Sequence, residues 1–209
     1  SERLANRCKD SCTQLNVPTK FWYGYDGTSG QIKTPDHLQN ASHMNWFKVV
    51  DSELSMSEVA CALSHISLWR HCALIDRPIV ILEHDSVMVK KFETHESYNS
   101  ICYLGGQEWA KQGWKIFPIP PHASEGPNWL FICRAHAYSI DPQIAKNLLA
   151  YVLQVGINAP LDIMLRADLF HITHQGLYAY DIPSSKEDTT ILARPFEGRT
   201  TKRNDKLEW

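Results

Sequence analysis

The sequence predicts an α/β domain, with a mostly parallel central sheet and flanking helices. Two observations carry this. The helix-patterned stretch "SMSEVACALSHISLWRHCALI" is followed, after a short break at Arg77-Pro78, by the apolar strand "IVIL". Farther on, the strand-like run "WLFICRAHAYSI" leads directly into a second helical pattern, "DPQIAKNLLAYVLQ". Strand and helix patterns in alternation are the mark of a sheet covered by helices.

Composition fits one such unit. A chain of 209 residues, 44% hydrophobic and 21% charged, is an ordinary globule rather than a disordered or membrane chain. At that size folding buries roughly 70–75% of the unfolded surface, so neither disulfides nor metal are needed for a core. The formal net charge of -2 offers no basic field for nucleic acid or anionic membrane. There is no 18-residue apolar run to form a transmembrane helix. The cysteines Cys8, Cys12, Cys61, Cys72, Cys102 and Cys133 form no CxxC pair, and several sit in apolar runs. They read as buried thiols in a reducing, hence cytoplasmic, setting. No signal peptide is legible, and the polar start is compatible with removal of an upstream segment.

Taken in order, the first stretch predicts a helix ending before Pro18, with Leu4, Cys8, Cys12 and Leu15 on one face. "TKFWYGYDGTSG" predicts a short strand and a glycine-rich turn. A short helix is expected after Pro35. The next helix opens with Ser55-x-x-Glu58, a capping box. Val59, Leu63, Ile66, Trp69 and Ala73 then recur at helical spacing, while Ser57, Ser64 and His71 form a polar strip. His65 lies at the margin of the apolar face, four residues after Cys61. Strands are expected at "IVIL", "SICYLGG", "WKIFPIP" and "WLFICRAHAYSI". Asp141 caps the following helix, with Pro142 at its first position. Pro160 starts a short helix in "NAPLDIMLRADLF", and "QGLYAYDI" is a late strand. Residues 1–190 thus form a single domain and 191–209 a polar tail, extended or partly disordered.

The chemistry concentrates where "IVIL" runs into Glu83, His84 and Asp85. In α/β sheets, ligands bind beyond the carboxyl ends of strands. Two carboxylates one residue apart can share Mn²⁺ or Mg²⁺, often completed by a substrate diphosphate. The plain alternative is a solvated pair in a loop. Ser64 and His65 either approach a ligand or brace the acidic loop; a satisfied, partly buried histidine is the alternative. Trp22, Tyr23 and Tyr25 offer a ring to stack on a base, or a packed strand edge. His171 and His174 are three apart, a metal-chelating spacing on a helix; otherwise they are loop histidines. No HExxH spacing supports a metal hydrolase.

These residues resemble the signature of glycosyltransferase family 25, which includes lipopolysaccharide galactosyltransferases and collagen galactosyltransferases. Glu58-x-x-Cys61, Ser64-His65 and Leu82-Glu83-His84-Asp85 are similar to its helix and acidic triplet. Asp26-Gly27, "ICYLGG", "AHAYSIDPQIAKNLL" and "APLDIML" are similar to further family elements, so the resemblance spans Glu2 to about Thr190. It implies a GT-A-like nucleotide-diphospho-sugar transferase fold. It implies a UDP-sugar donor, most often UDP-galactose, with Mn²⁺ (or Mg²⁺) at Glu83 and Asp85 as a variant DxD motif. Asp26, Gly27, Ser64, His65, Glu83 and His84 would then border the donor. His174 would be a third, late metal ligand. The acceptor hydroxyl would belong to a glycan, a lipid-linked glycan or a protein. An inverting transfer needs a base for that hydroxyl, and Asp162 is the first candidate, with Asp168 behind it; a helix-start carboxylate is the alternative for Asp162.

Two departures from the family pattern stand out. The middle of the triplet is His84 rather than an acid, and the family's first apolar strand precedes the point where this sequence starts. Both keep open a second function, that of a catalytically degenerate nucleotide-sugar or glycan-binding domain.

Overall fold

The computed structural model describes residues 2–39, 46–92, 100–106, 117–118 and 135–181. The polar tail, Cys133, and parts of the "WKIFPIP" and "WLFICRAHAYSI" strands lie outside those residues.

Helix α1 spans Glu2–Gln14 and buries Leu4, Cys8 and Cys12, the face that its spacing defines. A 3-10 turn, Asp36–Leu38, follows Pro35. Helix α2, Met56–Ile75, begins with the reciprocal cap: Glu58 N–H donates to Ser55 Oγ, and Ser55 N–H donates to Glu58 Oε2 at 2.7 Å. Such a cap contributes about 1 kcal/mol. Strands β1 (Ile79–Leu82), β2 (Ser86–Met88), β3 (Ile101–Gly106), β4 (Phe117–Pro118) and β5 (Ala137–Ile140) follow. Helix α3, Pro142–Val155, has Asp141 accepting from Ile144 N–H at 2.8 Å, with Pro142 opening the first turn. Helix α4 is Leu161–Met164, and β6 is Ile172–Asp181.

The strands form one sheet in the order β1-β5-β3-β6-β2, with β4 beside β6. It is mixed, which corrects the mostly parallel sheet expected. Among the described pairings only β3–β6 is parallel; β1–β5, β3–β5, β2–β6 and β4–β6 are antiparallel. The physical reason is that β5 inserts between β1 and β3 in the opposite direction. Apolar patterning cannot show this, because both sheet faces are covered. Ile81, Ile101, Tyr103, Tyr138 and Ile140 face the cluster under α2 and α3. Val80, Leu82, Cys102, Leu104 and Ala137 face the other cluster, which includes Cys12 of α1. Burial on two faces makes a strand read as an unbroken apolar run whatever its direction.

The edge that matters survives this correction. Since β5 is antiparallel to both β1 and β3, and β6 is parallel to β3, the strands β1, β3 and β6 all run the same way. Their carboxyl ends, at Leu82, Gly106 and Asp181, share one end of the sheet. Only residues 83–85 separate β1 from β2, yet these strands sit at opposite ends of the strand order. Four residue steps reach at most about 14 Å, less than four strand spacings of about 4.8 Å. The sheet is therefore curled, helped by a register shift of β6 between Tyr103 and Gly105. The acidic turn crosses that curled end.

Two local expectations also change. Residues 19–30 form no strand; the segment contributes one isolated bridge, Asp26–Lys33, and is otherwise hung on α2. The "HITH" segment is not helical, because β6 begins at Ile172 and pairs with β3. The i, i+3 helical geometry that would bring His171 and His174 together does not form. Among the described residues no helix is long and apolar enough to cross a membrane.

Candidate active site

Cys61 and His65 lie one turn apart on α2, so they share a face. His65 is buried, at 5% exposure, and is held from both sides of its ring. Its Nδ1 is 2.7 Å from the Tyr138 hydroxyl, which also accepts from Trp69 Nε1 at 2.9 Å. The His65 and Tyr138 rings stack at 5.7 Å. His65 Nε2 then faces Glu83 Oε1 at 3.2 Å. Cys61 Sγ faces the same oxygen at 3.9 Å.

The acidic turn is fixed by its backbone. Glu83 N–H donates to the His136 carbonyl at 2.8 Å, and Ser86 Oγ donates to the same carbonyl at 2.5 Å. Ser86 N–H closes the turn on the Glu83 carbonyl at 3.1 Å. The two carboxylates sit in different fields. Burial pulls the Glu83 pKa up, but the hydrogen bond from His65 and the imidazoles of His65, His136 and His84 outweigh it and bring it below the ordinary value. Asp85 is raised, first by burial and then by the charge of Glu83. Its Oδ1 is buried with no hydrogen-bond partner among the described residues. The Cys61 thiol is raised by burial and by Glu83, Asp162 and Asp85, which brings Asp162 into the same electrostatic neighbourhood.

His136, just before β5, closes the far side. Its ring is edge-on to Tyr103 at 5.8 Å and lies over Gly105. A Cβ on Gly105 would stand 2.5 Å from His136 Nε2 and 2.6 Å from the Tyr103 hydroxyl. A bare backbone is required there.

Of the residues singled out from sequence, His65, Glu83, His84, Asp85 and Asp162 converge on this one region. Asp162 is half-buried in the first turn of α4. Asp168 is already engaged by Arg166, whose Nε donates to Oδ1 at 2.8 Å and whose Nη2 donates to Oδ2. Ser64 has a bracing role: its Oγ accepts from Tyr25 N–H at 2.8 Å and donates to the Ala60 carbonyl. Gly27 presses on the start of α2, where a Cβ would meet the Met56 carbonyl oxygen at 2.1 Å. The Asp26 carboxylate is turned onto its own loop, with Oδ1 accepting from Thr28 N–H and Oγ1, which lowers its pKa. Trp22 donates to Ser67 Oγ and packs against His37 and His71, Tyr23 is exposed, and Tyr25 packs on the core. The backbone of His174 pairs with Tyr103 and Phe117.

Three further participants are not singled out by the sequence: Cys61 as a site residue, His136 and Tyr138. The i, i+4 spacing of Cys61 and His65 was a usable signal. His136 directly precedes the plain apolar strand β5 and Tyr138 lies within it, and only sheet register brings them to Glu83.

Two donor sets are present for a cation. Glu83 and Asp85 offer hard oxygens, and the orphaned, raised Asp85 carboxylate is electrostatically suited to a cation, so these residues fit Mn²⁺ or Mg²⁺. Cys61, His65 and Glu83 each offer one donor atom, all within 4.8 Å of one another. None of the five described cysteines forms a disulfide.

A family model described as glycosyltransferase family 25 (LPS biosynthesis protein) matches residues 2–116, more than half of the 209-residue chain. The match includes α1, α2, the acidic turn and β3. No curated protein matches the chain.

Proposed function

The chain belongs to glycosyltransferase family 25, and from that premise we propose that it transfers a hexose, galactose in the first instance, from a UDP-sugar to an acceptor hydroxyl on a GT-A-like domain. The observation that carries the reading is the Glu83–Asp85 pair at the shared carboxyl end of β1, β3 and β6, with one Asp85 oxygen buried and unpartnered. A diphosphate needs positive charge nearby, and this turn supplies only negative charge and imidazole. Glu83 and Asp85 would hold Mn²⁺ or Mg²⁺ there, which neutralises charge on the departing UDP when bound. His174, on β6, remains the candidate third ligand.

The protein's own groups take the remaining roles. His65, locked by Tyr138, fixes one Glu83 oxygen and keeps Glu83 ionised. Asp162 takes the proton from the acceptor oxygen as that oxygen attacks the anomeric carbon. Asp168 is a poor substitute, because its carboxylate already serves Arg166. His84 sits between the two carboxylates, where its imidazole adds to the lowering at Glu83 and offsets part of the rise at Asp85. The loop carrying Asp26 and Gly27 is braced by Ser64 and forms the flank of the donor pocket. The acceptor is a glycan, a lipid-linked glycan or a protein hydroxyl.

The test is a set of UDP-hexoses incubated with the protein and a panel of sugar acceptors, with and without Mn²⁺, read as UDP release and glycoside formed. Metal-dependent transfer to an acceptor supports the proposal. Donor binding without transfer or hydrolysis to any acceptor supports instead the degenerate binding domain that His84 keeps in view.

A further inference from the structure

We propose that the pocket between α2 and the 83–85 turn is also a site for a thiophilic divalent cation of the Zn²⁺ class, ligated by Cys61 Sγ, His65 Nε2 and one Glu83 carboxylate oxygen. The three residues come from a helix face and a strand end that are both firmly held. The spacing of their donor atoms fits such an ion before it arrives. In a tetrahedral zinc site, bonds of about 2.0–2.1 Å to N or O and 2.3 Å to S put ligand atoms roughly 3.3 Å apart for N and O, and about 3.6 Å apart for S and O. Here His65 Nε2 and Glu83 Oε1 are 3.2 Å apart. Cys61 Sγ and Glu83 Oε1 are 3.9 Å apart. The two contacts through Glu83 match to a few tenths of an ångström, and the Cys61 Sγ–His65 Nε2 pair lies within 4.8 Å.

The surroundings match as well. A ligating histidine needs its second ring nitrogen held by an outer partner, which sets the tautomer and the ring angle. The Tyr138 hydroxyl does this at 2.7 Å, itself anchored by Trp69. Glu83 and Cys61 are half-buried rather than closed off, which leaves the outer side of the ion for water as the fourth ligand. On binding, the Cys61 S–H bond is replaced by a sulfur–metal bond and the thiol proton leaves to solvent. His65 moves its single proton from Nε2, where it bonds Glu83 in the metal-free state, to Nδ1, where the Tyr138 oxygen accepts it, so that Nε2 is free to bind the metal. The donor set of one thiolate, one imidazole and one carboxylate suits Zn²⁺, Cd²⁺ and Co²⁺ and is poor for Mg²⁺ or Mn²⁺.

The consequence rests on the reading above. Glu83 belongs to both donor sets, so the thiophilic ion and the hard cation of the transferase exclude one another. Zinc at this site would act as an inhibitor of the transferase.

The experiment is a Co²⁺ titration of the whole chain followed by absorbance, which involves neither sugar donor nor acceptor. We expect a thiolate-to-cobalt charge-transfer band in the near ultraviolet, saturating at one equivalent and bleached by Zn²⁺. Cys61→Ser should lose the band, and Tyr138→Phe should keep it while weakening the affinity roughly 10- to 100-fold. Circular dichroism checks that both variants are folded, and Glu83→Gln gives a second weakening variant at the same site. Cobalt bound without the band, or a band that survives in Cys61→Ser, overturns the proposal. Release of bound Mn²⁺ by one equivalent of Zn²⁺, read by electron paramagnetic resonance, supports the shared ligand, and Mn²⁺ that stays bound overturns it. A chain that binds no Mn²⁺ at all removes the transferase reading, and the cobalt band alone then decides this one.

Discussion

His65 Nε2 lies 3.2 Å from Glu83 Oε1, and that contact joins the buried face of α2 to the acidic turn at the end of the sheet. It is the last link of a chain running from Trp69 through Tyr138. His65→Ala would leave the Tyr138 hydroxyl and the Glu83 oxygen without this partner, and a buried group so stranded costs about 1–3 kcal/mol. Urea unfolding should show that loss. The pH dependence has a definite sign. Glu83 is held below its ordinary pKa, so its ionised form stabilises the fold. That stability is fully present above about pH 4.3, the unperturbed value, and is lost as pH falls through the lower folded value. The acid limb of the stability curve should therefore flatten in His65→Ala; an unchanged limb would mean that the contact does not hold Glu83 ionised.

Asp85→Ala is expected to abolish Mn²⁺-dependent UDP binding, and Glu83→Ala to weaken it strongly. Both should stay folded, because a strand-end turn contributes little to either core cluster. In wild type, UDP plus Mn²⁺ at a hundredfold excess over Kd should add about 2.7 kcal/mol of apparent stability. A thermal shift that persists in Asp85→Ala would remove the metal assignment at this turn.

The helices were legible because their signals are local. Ser55 with Glu58, and Asp141 with Pro142, fix helix starts within four residues of sequence. The acidic turn was legible for a similar reason, as a polar triplet directly after an apolar run. Strand direction was not, since Tyr138 reads as apolar whether β5 runs up or down. His136 and Tyr138 reach Glu83 only through the β1–β5 register, which pairs Leu82 with Ala137. The "HITH" spacing misled because a three-residue interval suits a helix, while pairing with β3 draws the segment into β6. The "FWYGYDG" run misled because its aromatics suggest a strand, while Ser64 and the glycines hold it against a helix instead.

Gly27 tests that last point. A Cβ there would stand 2.1 Å from the Met56 carbonyl oxygen, a backbone atom that cannot rotate away. Gly27→Ala should destabilise by about 1–3 kcal/mol, the usual range for overpacking. The measurement is chemical unfolding. A variant as stable as wild type would show that the loop is not pressed on α2.

His84→Asp is expected to leave Mn²⁺ affinity unchanged or to raise it. The change restores an all-acidic triplet and adds negative charge beside Glu83 and Asp85, where a cation would sit. It also removes the imidazole that adds to the lowering at Glu83 and offsets part of the rise at Asp85. Calorimetric titration of both forms with Mn²⁺ separates the cases, since weaker binding by the aspartate form would identify His84 as a ligand or donor contact.

Asp162 carries the final prediction. An acceptor hydroxyl is a poor nucleophile, and a well-placed general base is worth typically 10²- to 10⁴-fold. Asp162 starts α4, is half-buried, and acts on the same thiol as Glu83 and Asp85. It is far from the acidic turn in sequence but shares its electrostatic neighbourhood, as a group on the acceptor side must. Its rival Asp168 is clamped by Arg166. Asp162→Asn keeps the shape and removes the basicity. Donor affinity should therefore change little while transfer falls by at least about 10²-fold. The measurement is single-turnover transfer paired with UDP-sugar affinity. Equal losses in binding and transfer would make Asp162 a donor contact. Near-native transfer would reduce it to a carboxylate favoured by the start of a helix, and Asp168, freed by Arg166→Ala, would be the next base to examine.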